Sequence, residues 1–297
     1  MSAALPKVPV RAEPALRQAQ DDRNTTLPST SSGRTEKPAQ GERDWAWLRR
    51  GGIALRSFAI FFAMWWALAA WNGNPIQLPD PLSVAKAMLE LAREGEVLEH
   101  ASVSTGRLLL SLVIATLVAV PLGFLMGLSR RVEAYVDPLV ELLRPVSGIA
   151  WIPLALFIFG VGNTLPVFIM VYVAIFPLLL NTVAGVRGVD AKLLAAARTM
   201  GISRRATLRH VVVPAALPTI MVGLRLAFAG AWSAVVAAEL IGAPSGLGFA
   251  IEWYRQLLMS PKVFGFIVLI GIVGFTCDAL LRALQRKLTP WTEGTEL

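Results

Sequence analysis

Cysteine and histidine are almost missing from this chain, whose 297 residues include one Cys and two His. A single cysteine excludes an internal disulfide, and Cys277 lies in an apolar run where it reads as a small hydrophobe. His100 and His210 fall in loops on opposite sides of a membrane-crossing chain, so they share no site. No Cys, His and carboxylate group has the spacing of a metal centre, and no metal is expected. The phosphate cradle Gly-x-x-x-x-Gly-Lys-Ser/Thr is missing, together with an acidic strand after it, which argues against ATP hydrolysis by this chain. No nucleophile and base pair stands out, so no catalytic residue is assigned. Charge is scarce too: Asp, Glu, Lys and Arg make up 16% of the residues, against about 25% in an average soluble domain. Residues 108–128 and 145–186 contain none.

What is present is apolar. Hydrophobic residues reach 55% and the mean hydropathy is +0.58, the composition of an all-α membrane protein. Six spans are predicted, at about 53–71, 108–128, 145–160, 164–184, 215–241 and 263–281. The uncharged run 108–128 gives about 31 Å of helix at 1.5 Å per residue, which matches the hydrocarbon thickness. The run 145–186 is too long for one span and suits two, with a tight turn at Gly160-Val-Gly-Asn163. Pro153, Pro166 and Pro177 are tolerable there because neighbouring helices can satisfy the freed carbonyls. Gly123 and Gly127 form a GxxxG pair that lets another helix approach closely. Trp45, Trp47 and Trp71 flank the first span as interfacial anchors. Residues 1–44 are rich in Pro, Ser, Thr, Gln, Arg and Glu and read as a disordered cytoplasmic tail, not a signal peptide. Residues 45–297 form the membrane domain.

Six spans place both termini on one side. The tail, the loops Ser129–Arg144 and Gly185–Pro214 and the C-terminus together hold 21 of the 28 Lys and Arg, which puts both termini in the cytoplasm. This asymmetry accounts for the net charge of +8 without a nucleic-acid partner. On the other side, Leu78-Pro79-Asp80-Pro81 precedes an amphipathic helix from about Leu82 to Arg93.

Polar residues within spans are the candidates for a path. Arg225 sits about ten residues into the fifth span, where a charge costs about 3 kcal/mol against about 0.3 to 0.6 gained per Leu, Ile, Val or Phe. It either helps an anion through or pairs with an acidic or carbonyl partner. Gly223, Ala227, Gly230, Ala231 and Ala234 form a stripe of small residues on the same span, suited to close packing or to lining a passage. Glu239, near the outer end, reads as an exposed interfacial carboxylate or a gate at the mouth. Asn163, Trp151 and Asn181 are further candidates.

The stretch Asp190–Pro218 organises the rest. Asp190 can cap a helix over Ala191–Met200, Gly201 ends it, and Ser203 can cap a second, basic helix carrying Arg204, Arg205 and Arg209. Pro214 and Pro218 then mark the turn into the fifth span. This stretch resembles the EAA loop of ATP-binding cassette (ABC) importer permeases: Glu-Ala-Ala, three residues, Gly, nine residues, then an aliphatic-x-Leu-Pro. The match falls on Ala196, Ala197, Gly201, Val211 and Pro214, with Ala195 where the family has Glu and Val213 where it has Leu. The Leu-Pro-x-Pro element, Ser245-Gly-Leu-Gly248, and Arg144-Pro145 leading into Ile149-Ala-Trp151-Ile-Pro153 resemble the nitrate, taurine and alkanesulfonate branch. The resemblance covers about residues 46–288.

The resemblance implies a type I ABC importer permease fold in the bacterial cytoplasmic (inner) membrane. Residues 190–214 are then a coupling loop that docks on a separate ATPase subunit, with Ala195, Ala196, Ala197, Gly201, Val211 and Pro214 at the contact. Missing Glu at 195 removes one polar contact from it. The resemblance further implies no cofactor in this chain, with ATP and Mg on the ATPase, and an extracytoplasmic solute-binding protein that delivers a small anion. Two permease chains, as a homodimer, form the path. Arg225, Gly223, Ala227 and Glu239 are the path candidates. The alternative is a self-sufficient secondary transporter, which predicts buried ion-coupling carboxylates and an inverted repeat. The longest uncharged runs contain no carboxylate, and no convincing repeat is visible.

Overall fold

A computed structural model describes residues 40–292. Most of the expected tail, 1–44, and the Trp45 and Trp47 anchors lie outside the residues whose side chains are described. Among the described residues there is no strand. Helix α1 is Gln40–Asn72, α2 Pro81–Glu94, α3 Glu96–Leu128, α4 Arg130–Leu143, α5 Ile152–Phe159 and α6 Thr164–Arg187. Then follow α7 Ala191–Thr199, α8 Arg204–Gly242, α9 Leu247–Gln256 and α10 Ser260–Leu288. Residues up to Phe61 form a unit of their own, the first part of α1, with Leu55, Phe58 and Ile60 exposed.

In the second unit, Phe62–Leu297, α6 is the central helix and carries α3 on one side and α8 on the other. Small residues permit this. A Cβ on Gly123 would stand 2.6 Å from Thr182 Cβ, and one on Gly127 2.7 Å from Val186 Cβ, so the GxxxG pair seats α3 against α6. Gly223 plays the same part on α8, where an added Cβ would stand 2.6 Å from Asn181 Cβ. Leu108, Ala115, Met170, Leu178, Ala216 and Ala231 close the core between the three helices. The helix α2 begins where its sequence says it should: Asp80 accepts the Ser83 N–H at 3.0 Å and Pro81 opens the first turn. Gly95, at φ 84, ends α2 and turns the chain into α3.

Among the described residues, four helices are long and apolar enough to cross a membrane: α3, α6, α8 and α10. The span expected at 145–160 takes another form. The helix α5 has eight residues, about 12 Å of rise, too short to cross about 30 Å of hydrocarbon. With the 3₁₀ turn Gly148–Trp151 before it, this segment is bent by 85° from α4; the pair makes a fifth, broken span when the two are taken as one crossing, and residues 130–143 of the expected loop Ser129–Arg144 are helix. The first expected span lies within α1. Two further boundaries shift. Helix α3 starts at Glu96, twelve residues before the uncharged run, because nothing in Glu96–Arg107 breaks a helix. After Ser203 there is no short second helix either: α8 runs unbroken for 39 residues. The π-turn Leu208–Val212, closed by Val213 N–H on the Leu208 carbonyl, makes room for Pro214, so that proline sits inside a helix where a turn was expected.

Candidate functional site

Two groups of residues, at opposite ends of α8, carry the features of a working site. The first is the elbow between α6 and α8. Asp190 accepts the Lys192 N–H at 2.8 Å and caps α7. At the other end Gly201 takes φ 67, its N–H donates to the Arg198 carbonyl at 3.0 Å, and Ile202 N–H donates to Ala197 at 3.1 Å. These two bonds are a Schellman closure, and the left-handed residue it requires is the reason for glycine at this position. Ala197 faces inward and is 1% exposed, whereas Ala195 and Ala196 are exposed beside Leu193 and Met200, the last 68% exposed. Val211 and Pro214 are half-buried in the start of α8. Arg198, Arg204 and Arg205 line an 810 Å³ hollow together with Leu128, Val186 and Ile202. The elbow thus offers a short apolar knob beside a basic rim.

The second group lies at the far end of α8 and is built on Glu239, which is fully buried. Its carboxylate accepts from Arg107 Nη1 at 2.6 Å, from Ser104 Oγ at 2.8 and 2.9 Å and from Gly248 N–H at 3.0 Å. Arg107, also buried, donates onward to the Ser245 carbonyl and to Asn163 Oδ1. Ser104 Oγ accepts the Leu247 N–H at 2.8 Å, and His100 Nδ1 accepts Gly246 N–H at 3.3 Å. The glycines of Ser245-Gly-Leu-Gly248 are therefore steric necessities. A Cβ on Gly246 would stand 2.5 Å from the Glu239 carboxylate, and one on Gly248 2.6 Å from the Val236 carbonyl. Each buried charge has a counter-charge and filled hydrogen-bond positions, the condition under which such a pair survives burial. The arrangement ties α3, the α5–α6 turn, α8 and α9 into one clasp.

A family model described as a binding-protein-dependent transport system inner membrane component matches residues 119–291, a stretch that contains the elbow, Glu239 and Ser245–Gly248. The chain belongs to this family. It is 37% identical over 256 residues to the taurine transport system permease protein of Escherichia coli (strain K12), covering 83% of this chain and 93% of that one. A Bacillus subtilis (strain 168) protein named as an aliphatic sulfonates transport permease is 34% identical over 272 residues, 91% of this chain and 97% of its own. Among solved structures, an inward-facing methionine ABC transporter chain aligns with a TM-score of 0.52 at 18% identity, over 65% of this chain and 97% of that one, a likeness of fold. This is a multi-pass inner-membrane protein of the ABC permease family.

The remaining candidate residues of this permease go to different places. Arg225 is half-exposed and paired with Asp278, Nε at 2.7 Å and Nη2 at 3.2 Å from the two carboxylate oxygens, so the pairing half of the sequence expectation describes its surroundings. Gly223 and Ala227 are closed against neighbouring helices. The exposed interfacial reading of Glu239 is corrected: it is the most enclosed charge in the described residues, because Arg107 and the glycine loop fold over it. His100 likewise leaves its expected aqueous loop for the edge of the clasp. Sequence reading missed Arg107 and Ser104. Both precede the uncharged run at 108–128, and the spacing of four and then three residues from His100 to Ser104 to Arg107, which puts them on one helix face, was the signal available.

Proposed function

We propose that this permease is the transmembrane subunit of an ATP-driven, binding-protein-dependent importer of a small anion such as taurine, another sulfonate, nitrate or bicarbonate. In this reading six helices cross the membrane, both termini and the elbow are cytoplasmic, and the clasp lies on the extracytoplasmic side. A separate ATPase subunit, carrying ATP and Mg²⁺, receives α7. An extracytoplasmic binding protein delivers the solute to a path formed with a second copy of the chain. The observation that carries the reading is the exposed Leu193, Ala195, Ala196 and Met200 surface held on a glycine-locked elbow. Such a surface on a membrane protein suits a groove in a partner.

Mechanically, α8 links the two ends. At 39 residues it is about 58 Å long, and it starts beside the elbow and ends in the clasp. Closure of the ATPase pair would displace α7, and α8 would carry that displacement to Glu239 and the mouth. The coupling residues in this reading are Ala195, Ala196, Ala197, Gly201, Val211 and Pro214.

Co-expression with the ATPase tests it. The wild-type chain is expected to retain the ATPase through purification, and Ala196→Arg, at an exposed position that leaves the fold intact, to lose it. Retention by Ala196→Arg, or solute uptake by the chain alone without a nucleotide-hydrolysing subunit, would overturn the reading. The secondary-transporter alternative needs a buried carboxylate free to bind and release an ion. Glu239 is buried, but its oxygens are occupied by Arg107, Ser104 and Gly248.

A further inference from the structure

The broken span surrounds a cavity that none of the proposed path residues Arg225, Gly223, Ala227 and Glu239 lines. It is a half-open hollow of 550 Å³, lined by the break between α4 and α5 together with α6 and α8. On α6 it runs from Tyr172 to Asn181 and on α8 from Leu226 to Ala234, the middle stretch of both spanning helices. It therefore lies near half depth in the membrane. Most of its wall is apolar, including Val173, Phe176 and Leu180; Ser147, Asn181 and Ser233 add neutral polar groups.

Arg144 is the single formal charge in that lining. Its side chain is exposed and has no hydrogen-bond or ion-pair partner among the described residues. That contrasts with Arg107 and Arg225, each neutralised by a carboxylate. An unpaired guanidinium at half depth is costly unless it meets water or an anion. The backbone carries the same message, since irregular chain at membrane depth is tolerated only inside protein or along a water-filled cavity. Residues 144–147 are such a segment. They are also held in place: Tyr172 Oη donates to the Leu143 carbonyl at 2.7 Å and contacts the Val146 carbonyl at 3.3 Å, on either side of Arg144-Pro145.

We infer that this cavity is the selectivity point of the path and that Arg144 is its anion-recognising residue, taking a sulfonate or comparably small monoanion on its guanidinium. The planar fork of Arg suits an oxyanion, which it can engage through two N–H groups. Cavity volume suits a solute of a few heavy atoms with part of its water. The assignment rests on the proposed importer reading and moves the charge selection from Arg225 to Arg144.

The test uses the permease reconstituted in vesicles with its ATPase and binding protein, with labelled taurine as the probe. Arg144→Gln is expected to lower uptake about tenfold to a hundredfold, the loss of a charge-assisted hydrogen bond. Retention of the ATPase through purification is expected to be unchanged, because Arg144 is no part of the elbow 190–214. Arg144→Lys should recover part of the uptake. A second variant, Arg144→Cys in a Cys277→Ser background, places a single thiol in the cavity. Treatment with a cationic aminoethyl thiosulfonate reagent should restore uptake severalfold, and an anionic sulfonatoethyl reagent should not. Uptake by Arg144→Gln within twofold of wild type would overturn the proposal. So would equal rescue by both reagents, or a thiol that neither reagent reaches. Absence of ATP-dependent uptake by the wild-type complex would instead overturn the importer reading, while the thiol's reactivity toward the two reagents would still report on the cavity.

Discussion

Removing Glu239 should be among the most damaging single changes in this permease. Glu239→Ala leaves Arg107, whose side chain is 5% exposed, buried without its counter-charge. It also strips an acceptor from Ser104 Oγ and from Gly248 N–H. Breaking a buried pair from one side costs about 3 to 5 kcal/mol, more than the roughly 1 kcal/mol typical of a single substitution. Glu239→Gln should fall between, since the amide keeps the shape but turns an N–H₂ toward either Arg107 or Gly248, donor against donor. Thermal unfolding of the purified protein in one detergent, followed by loss of the monodisperse peak, measures both. A double-mutant cycle with Arg107→Leu separates the pair from its surroundings: the double variant should be less damaged than the two single losses added together, because no unpaired charge remains. An effect of Glu239→Ala below about 1 kcal/mol, or additive losses in the cycle, would refute the clasp as a charge-balanced unit.

Three other perturbations have definite expected outcomes. Gly201→Ala meets no atom within 4 Å, so its cost is backbone strain at φ 67 alone, about 1 to 2 kcal/mol; it should weaken ATPase retention during purification while leaving the spans' stability unchanged. Arg225→Gln leaves Asp278 with Arg282 as its remaining partner, and uptake should persist; its abolition would return Arg225 to the path. The Ser83 hydroxyl and N–H hold the Asp80 carboxyl below its ordinary 3.8. The sign follows: the cap's contribution is complete above about pH 4 and fades as pH falls through the lowered value. Helicity of α2 by backbone amide exchange should drop only in strong acid, and Asp80→Asn should remove that dependence.

Local chemistry was legible in the sequence wherever one turn of chain decides the outcome. Asp80-Pro81, Asp190, Gly201 and Ser203 sit at the helix ends their side chains dictate, because a cap is a contact over two to four residues. The packing role of Gly123 and Gly127 was legible for the same reason, since spacing alone puts both on one face. Long-range pairing was not legible. Ser104 and Arg107 meet Glu239 across 135 and 132 positions, and a hydropathy window that ends at residue 108 assigns the arginine to solvent. The broken span was hidden by composition. Residues 145–160 are apolar enough for a straight helix, and proline was no guide, since Arg144 and Ile152 keep helical backbone before Pro145 and Pro153 while Pro177 and Pro218 sit inside helices.

The two sites constrain each other through α8. Its far end is fixed by four polar contacts at Glu239 and by Gly242, whose carbonyl accepts Gly162 N–H at 2.8 Å. Its near end departs from regular α-helix at the π-turn Leu208–Val212. A displacement entering at α7 must then either be absorbed within those five residues or move the clasp as a block, because packed helices shift between discrete arrangements and do not stretch. Gly223 and Gly185 hold α8 against α6 with clearances that leave no room for a methyl group's worth of sliding. In the proposed importer the helices α6 and α8 would therefore move together, and the cavity between them and the α4–α5 break would change shape at the break. Motion begun at the elbow would then alter the surroundings of the charge on Arg144, which sits on the irregular segment.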